Sequence, residues 1–200
     1  MKKFDKKIPA AVKHTVLIFL LSFIGQPTLQ GYIHPADPFV LLAAMRLPTQ
    51  QALLACGIAS AAADLAKGYY ALAPFTLAIK LAMVLAVKLL TRLSAAKGRE
   101  ELFASVAALI PVPGYFLSQL ITGYCYEWFT GNNTSPIGMA IDSLRKNLIQ
   151  GAASLLVFLI LFDLIKSFRK LKASMAEIKA EQEKKEAAAQ AETAEEEETE

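Results

Sequence analysis

The sequence predicts an all-α, polytopic membrane protein with six transmembrane helices, the second of them short, and both termini in the cytoplasm. Three observations carry that expectation. Of its 200 residues, 54% are hydrophobic, above the usual range for soluble domains. Five segments approach the roughly 20 mostly apolar residues that a helix needs to cross a bilayer. The basic residues, finally, fall almost entirely on one side of those segments.

Taken in order, the five are residues 8–25, 49–66, 71–90, 102–129 and 137–168. The first begins "MKKFDKKIPAAVKHTVLIFLLSFIG", which looks like a signal peptide but has no small-x-small cleavage site after its apolar core. It reads as a membrane helix that is retained. Residues 37–47, "DPFVLLAAMRL", are too short to span alone and are bounded by Pro38 and Pro48; they count as a sixth, stubby helix. Pro111 and Pro113 in "LIPVPGYF" each remove a backbone donor, so the fifth segment should kink or break there. Such breaks persist in membranes where protein or a wet cavity satisfies the freed carbonyls.

Charge sets the orientation. With the N-terminus inside, the cytoplasmic pieces hold Lys2, Lys3, Lys6, Lys7, Arg46, Arg92, Lys97, Arg99, Lys166, Arg169, Lys170 and Lys172. The outer pieces hold only Lys67. Twelve against one follows the positive-inside rule, and dropping the short second helix would put Arg92, Lys97 and Arg99 outside. Residues 1–172 therefore form the membrane domain. Residues 173–200 are an acidic Ala/Glu/Lys-rich cytoplasmic tail: from Ser174 on there are ten Glu and three Lys, a net of −7 against +10 for the rest. Such a tail is solvated rather than packed.

Ionisable groups at membrane depth are costly, and they face a cavity or a partner. Lys80 lies about nine residues, or roughly 13 Å, inside the fourth helix. Asp64 sits near the outer end of the third, and "IDSLRKNLIQG" crowds Asp142, Arg145, Lys146, Asn147 and Gln150 into the last. Lys88 is close enough to the inner end to snorkel and is given no role. In one reading Asp64 pairs with Lys80 or Arg145, Asp142 pairs with Lys146, and nothing binds. In the other these groups line a polar pocket entered from outside. The cluster favours the pocket, because all of it falls in the outer half. Tyr115, beside the proline break, is the ring best placed to stack on a flat ligand, whereas Tyr126 and Trp128 read as an interfacial belt. Ala52, Ala55, Ala59, Ala63 and Ala66 give the third helix a smooth face for close approach, by the protein's own bundle or by a partner.

Several functions are unsupported. There is no GxxxxGK[ST] phosphate loop, no HExxH, no GxSxG elbow and no His/Cys cluster. His14 and His34 fall on opposite sides of the first helix, and Cys56 and Cys125 are isolated thiols. No catalysis, metal or cofactor is expected. Topology accounts for the basic residues, so nucleic acid is not needed as a partner.

"GYIHPADPFVLLAA", "ADLAKGYYALAPFTLAIKLAM", "IPVPGYFLSQLI" and "SLRKNLIQG", in that order, resemble the energy-coupling factor (ECF) transporter S components, most closely the riboflavin-type group. The block around Asp64, Gly68, Tyr69, Pro74, Thr76 and Lys80 is the most specific part. The resemblance implies a subunit of an ABC-type importer in the bacterial inner membrane that captures a vitamin or vitamin-like small molecule, riboflavin-like above all, from outside. Energy then comes from a coupling membrane subunit and two cytoplasmic ATPases. Carried over by position, substrate contacts fall on Asp64, Lys80, Tyr115, Asn147 and Gln150, with Tyr32 and His34 in the loop that caps the site; the residues themselves add Arg145, as a hint of an anionic or carbonyl-rich substrate. The coupling subunit would dock on small residues of the first helices, here Ala11 and Thr15, to which the face of Ala52, Ala55 and Ala59 is added. The chain departs from the family pattern at Leu81, where glycine is frequent, and at Gln119, where an acid is common. A rival from another class is a non-transporting scaffold subunit of a cell-shape or wall-synthesis complex, which would bind no ligand.

Overall fold

A computed structural model describes residues 9–28, 31–94, 98–132 and 135–198, with side chains omitted for 26–33 and beyond 185. Lys2, Lys3, Lys6, Lys7 and Lys97, which carry part of the orientation argument, lie outside the described residues. The chain divides into two compact units, Met1–Leu159 and Ile160–Glu200.

The first unit is a helical bundle whose segments follow the predicted order. Helix α1 (Ala10–Phe23) leads into a small antiparallel hairpin of β1 (Gln26–Thr28) and β2 (Gly31–Ile33), registered Gln26 to Ile33 and Thr28 to Gly31. Helix α2 (Asp37–Arg46) follows, opened by Pro38, whose missing N–H costs nothing in a first turn. Pro48 precedes α3 (Thr49–Ala66), which ends at Lys67 with Gly68 taking a positive φ of 83° to turn the chain. Helix α4 (Ala73–Ser94) is the hub, packing against α2, α3 and the later helices.

The fifth segment is broken, and the break lies ahead of the prolines. A short α5 (Glu100–Ser105) tightens into a 3-10 turn, Val106–Leu109, before α6 (Pro111–Thr130) starts with Pro111 at its first position. There the ring ends nothing; it starts a helix whose first N–H groups have no partner anyway. Gly131, left-handed at φ 67°, caps α6 by donating to the Glu127 carbonyl at 2.9 Å. Helix α7 (Pro136–Glu198) begins in this unit.

By length and composition, three helices can cross a bilayer: Ala73–Ser94, Glu100–Thr130 taken across its break, and Pro136–Lys185. Helix α1 is apolar but has only 14 residues. Helix α3, with 18, is diluted by Gln50, Gln51 and Asp64. Helix α2 is about 15 Å long, half the hydrocarbon thickness, and Pro38, Val40, Leu41, Leu42, Ala43 and Ala44 are all buried. It presents almost no face to lipid and forms the interior of the bundle. Outward-facing apolar side chains, such as Val16 and Leu20 of α1, Leu85 and Leu89 of α4, and Leu117 and Ile121 of α6, form the surface that meets acyl chains.

The small face of α3 is spent inside the bundle. Ala52, Ala55, Ala59 and Ala63 are buried and α3 packs on α1 and α4, so this chain itself covers the face that was also a candidate for partner docking. Glycine at 57 is part of the same economy: a Cβ there would lie 2.9 Å from a Leu77 methyl of α4. Ala11 and Thr15 are half-buried on α1, and the Thr15 hydroxyl donates to the Ala11 carbonyl at 2.9 Å.

The second unit is the continuation of α7. Its described side chains are nearly all exposed, among them Leu164, Phe168, Leu171, Met175 and Ile178, which recur at three- or four-residue spacing. That apolar spacing thus runs past the apolar segment as far as Met175 and Ile178, in the first residues of the Ala/Glu/Lys-rich tail.

Candidate functional site

Buried polar groups converge where the start of α2, the end of α3, the first turns of α4 and the first quarter of α7 meet. Lys80 and Asp37 are both fully buried, and Lys80 Nζ donates to Asp37 Oδ1 in an ion pair. Gln150 Nε2 donates to the other carboxylate oxygen, Oδ2, at 2.9 Å. Gln150 Oε1 in turn accepts the backbone N–H of His34 at 3.3 Å. One carboxylate therefore ties the entry to α2 to both α4 and α7.

Local structure explains why Asp37 stands where it does. It is the first residue of α2, where the exposed N–H groups carry partial positive charge and favour a carboxylate. His34 braces the approach: the Ala36 N–H donates to His34 Nδ1 at 3.2 Å, which fixes that nitrogen as unprotonated. Burial of the ring, opposed by the Asp37 carboxylate and reinforced by Lys80 and Lys67, lowers its pKa to about 4.

The rest of the cluster lies around this pair. Tyr115 of α6, half-buried, shares a 3.0 Å hydrogen bond with the Thr76 hydroxyl on α4. Asp64 is 2% exposed at the end of α3, and both it and Tyr115 are within electrostatic reach of Lys80. Lys67, in the turn after α3, donates to the Gly25 carbonyl at 2.9 Å and so joins the α3 end to the α1 end. Partial burial lowers its pKa, and the nearby Asp64 opposes that shift.

The structure thus brings Asp64, Lys80, Tyr115, Gln150 and His34 together, as the sequence suggested, but it rearranges their partners. Lys80 is paired with Asp37 rather than with Asp64. Arg145 is exposed and points away from the cluster, so it gives no reason to expect an anionic ligand. Asn147 is half-buried and donates back to the Ser143 carbonyl at 2.8 Å and hydroxyl at 3.1 Å. Tyr32 lies in β2 opposite Pro27, with its side chain outside the described residues.

Two contributors were missed. In the sequence Asp37 marks only the start of a helix, and Thr76 only part of a motif block. A usable signal for the α7 face is present: Ser143, Asn147, Gln150 and Ser154 recur at i, i+4, i+7 and i+11, and all four are buried or half-buried, as is Lys146 beside them. Arg145 lies about 140° from Gln150 around the same helix. No group of three or more metal-ligating side chains occurs among the described residues.

Comparison with known proteins agrees with this architecture. A search of curated protein sequences finds no match. A solved structure of the S component of a bacterial ECF transporter superimposes with a TM-score of 0.54 at 12% identity, covering 79% of this chain and 94% of that one. At that identity the likeness concerns the fold. The model of the family described as ECF-type riboflavin transporter, S component, matches residues 8–167, which span every residue of the polar cluster. A multi-pass helical bundle with a buried polar centre and a family match across four-fifths of its length leads to one assignment: the chain belongs to the ECF-type riboflavin transporter S components, membrane subunits that bind a substrate for transport and are not enzymes.

Proposed function

We propose that this S component captures a vitamin-like small molecule, riboflavin-like in chemistry, at the hairpin end of its bundle, and that this end faces outside the cytoplasmic membrane. A coupling membrane subunit and two cytoplasmic ATPases of an ECF module would then supply the energy for release inside. The observation that carries the reading is the Asp37–Lys80–Gln150 network beneath the β1–β2 hairpin. Ionised groups are expensive at this depth unless something other than lipid uses them, and three separate stretches of chain contribute to the network.

Asp64, Thr76 and Tyr115 supply further polar atoms and a ring face around Lys80. Asn147 remains a candidate contact through its carbonyl oxygen, since its amide donates within α7. Tyr32 and His34 belong to the capping strand and loop. The charge distribution of the cytoplasmic pieces supports the orientation.

The experiment is ligand identification. The chain purified alone in mild detergent should carry a small molecule detectable by mass spectrometry, or should quench riboflavin fluorescence with about one site per chain. Gln150→Ala and Tyr115→Ala should each weaken that binding. A chain that carries no ligand and leaves riboflavin, and a panel of other vitamins, unbound would favour a scaffold role instead.

A further inference from the structure

We infer that α7 carries, over residues 164–178, a docking seam for one helix of a partner protein, apolar along its contact line and acidic on its flanks. The seam belongs to the second unit, and most of it lies past residue 167, where the family match ends. It is therefore an addition to the family fold, and it stands whatever the ligand is.

Spacing identifies the seam. Leu164, Phe168, Leu171, Met175 and Ile178 follow one another at intervals of four, three, four and three residues. That is the a/d rhythm of a coiled coil, and all five side chains are at least half exposed. At roughly 100° per residue they cover about 80° of the helix surface, narrower than the face a helix lays against a globular core. A helix lying on a bilayer likewise buries a whole apolar face. The next positions in the rhythm are Gln182 and Lys185, so the line ends at Ile178.

Charge selects the occupant. From Leu164 to Ile178 there are four cations, Lys166, Arg169, Lys170 and Lys172, and one acid, Glu177. Among the described residues none of those cations makes an ion pair, whereas Lys179 and Lys185 pair along the helix with Glu183 and Glu181. A second copy is the wrong occupant. Two chains in one membrane share an orientation, so their seams would meet in parallel, basic stretch against basic stretch. The flanking positions would then set Ser167 against Lys172 and Ser174 against Lys179, which gives no attractive pair. An anionic bilayer surface would suit the cations, but the sequence has no proline or glycine after Gly151 at which a helix could turn onto one. A partner helix with Glu or Asp on its flanks meets Lys172 directly, and it competes for Lys179 with an exposed pair that is worth little.

The test uses the full-length chain in nanodiscs of zwitterionic lipid and two synthetic helical peptides with leucine at a and d. One has Glu at e and g, the other Lys, so like charge keeps each from pairing with itself. Fluorescence anisotropy should show the acidic peptide binding on the order of tenfold more tightly than its basic twin. Lys172→Glu with Lys179→Glu should reverse that preference. Leu171→Ser with Met175→Ser should abolish binding of both peptides at an unchanged unfolding midpoint, since these side chains are exposed. Equal binding of the two peptides, binding of neither, or a preference that survives the charge reversal overturns the inference. So does a dimer in mild detergent that becomes a monomer in the Leu171→Ser, Met175→Ser variant, which makes a second copy the occupant. A polarity-sensitive dye on Met175→Cys, with Cys125→Ser, should report water in zwitterionic and anionic nanodiscs alike. A shift to an apolar signal in the anionic ones assigns the face to the bilayer and overturns the inference as well.

Discussion

Lys80 illustrates how a single side chain can be right in place and wrong in partner. Its position in an apolar run marks it as buried, and it is fully so. Its counter-ion lies 43 residues away in sequence at the head of another helix, a pairing that local spacing cannot reveal. Removing one member leaves the other charged and unpaired in the interior, so Lys80→Met or Asp37→Leu alone should each cost about 3–5 kcal/mol, seen as a lowered unfolding midpoint in detergent. The combined variant should recover most of that loss. His34 makes a second residue-level prediction. With its pKa lowered to about 4 against a usual 6.5, the unfolded chain binds the proton first, so stability is full above pH 6.5 and falls as pH drops through 4. Up to about 3 kcal/mol is lost across that window. Unfolding midpoints measured from pH 7 to pH 4 should show it, and His34→Gln should flatten the part of the slope that His34 contributes.

At the scale of elements, what could be read depended on whether the information was local. Helix α4 and the start of α6 follow from apolar length and from proline's fixed φ. The 3-10 turn at Val106–Leu109 was not legible, because nothing in "SVAALIP" requires it beyond the need to bring α5 into register with α6. Polar faces were legible in principle: the i, i+4, i+7, i+11 run from Ser143 to Ser154 separates Gln150 from Arg145, and treating the segment as a crowd of charges rather than as a helix with a phase obscured it. Close helix approach has its own marker in Gly114. A Cβ there would lie 2.6 Å from Ile79 Cγ1 of α4, and Ile79 is branched too near its backbone to yield. Gly114→Ala should therefore cost about 1–3 kcal/mol in thermal unfolding. It should also weaken ligand binding, because the same crossing sets the 3.0 Å contact between Tyr115 and Thr76.

At the scale of the whole molecule, the residues of the polar cluster all belong to the unit Met1–Leu159. A chain ending after Lys172 should therefore bind ligand with the affinity of the full one, within about twofold, in the same fluorescence titration. Within that unit α4 does more than deliver one lysine. Lys80 meets the head of α2 through Asp37, and Lys88, eight residues on, donates at 2.7 Å to the Leu47 carbonyl at its foot; the role denied to Lys88 from sequence is thus filled. Helices α2 and α4 consequently run the same way, stapled top and bottom, with each staple matched to the sign of the helix end it holds. A short rod fastened at two points along a longer one has lost the freedom to slide or swivel against it. Whatever parts to admit a guest, that twin column moves as one piece, and the give must come from the chain on either side of it.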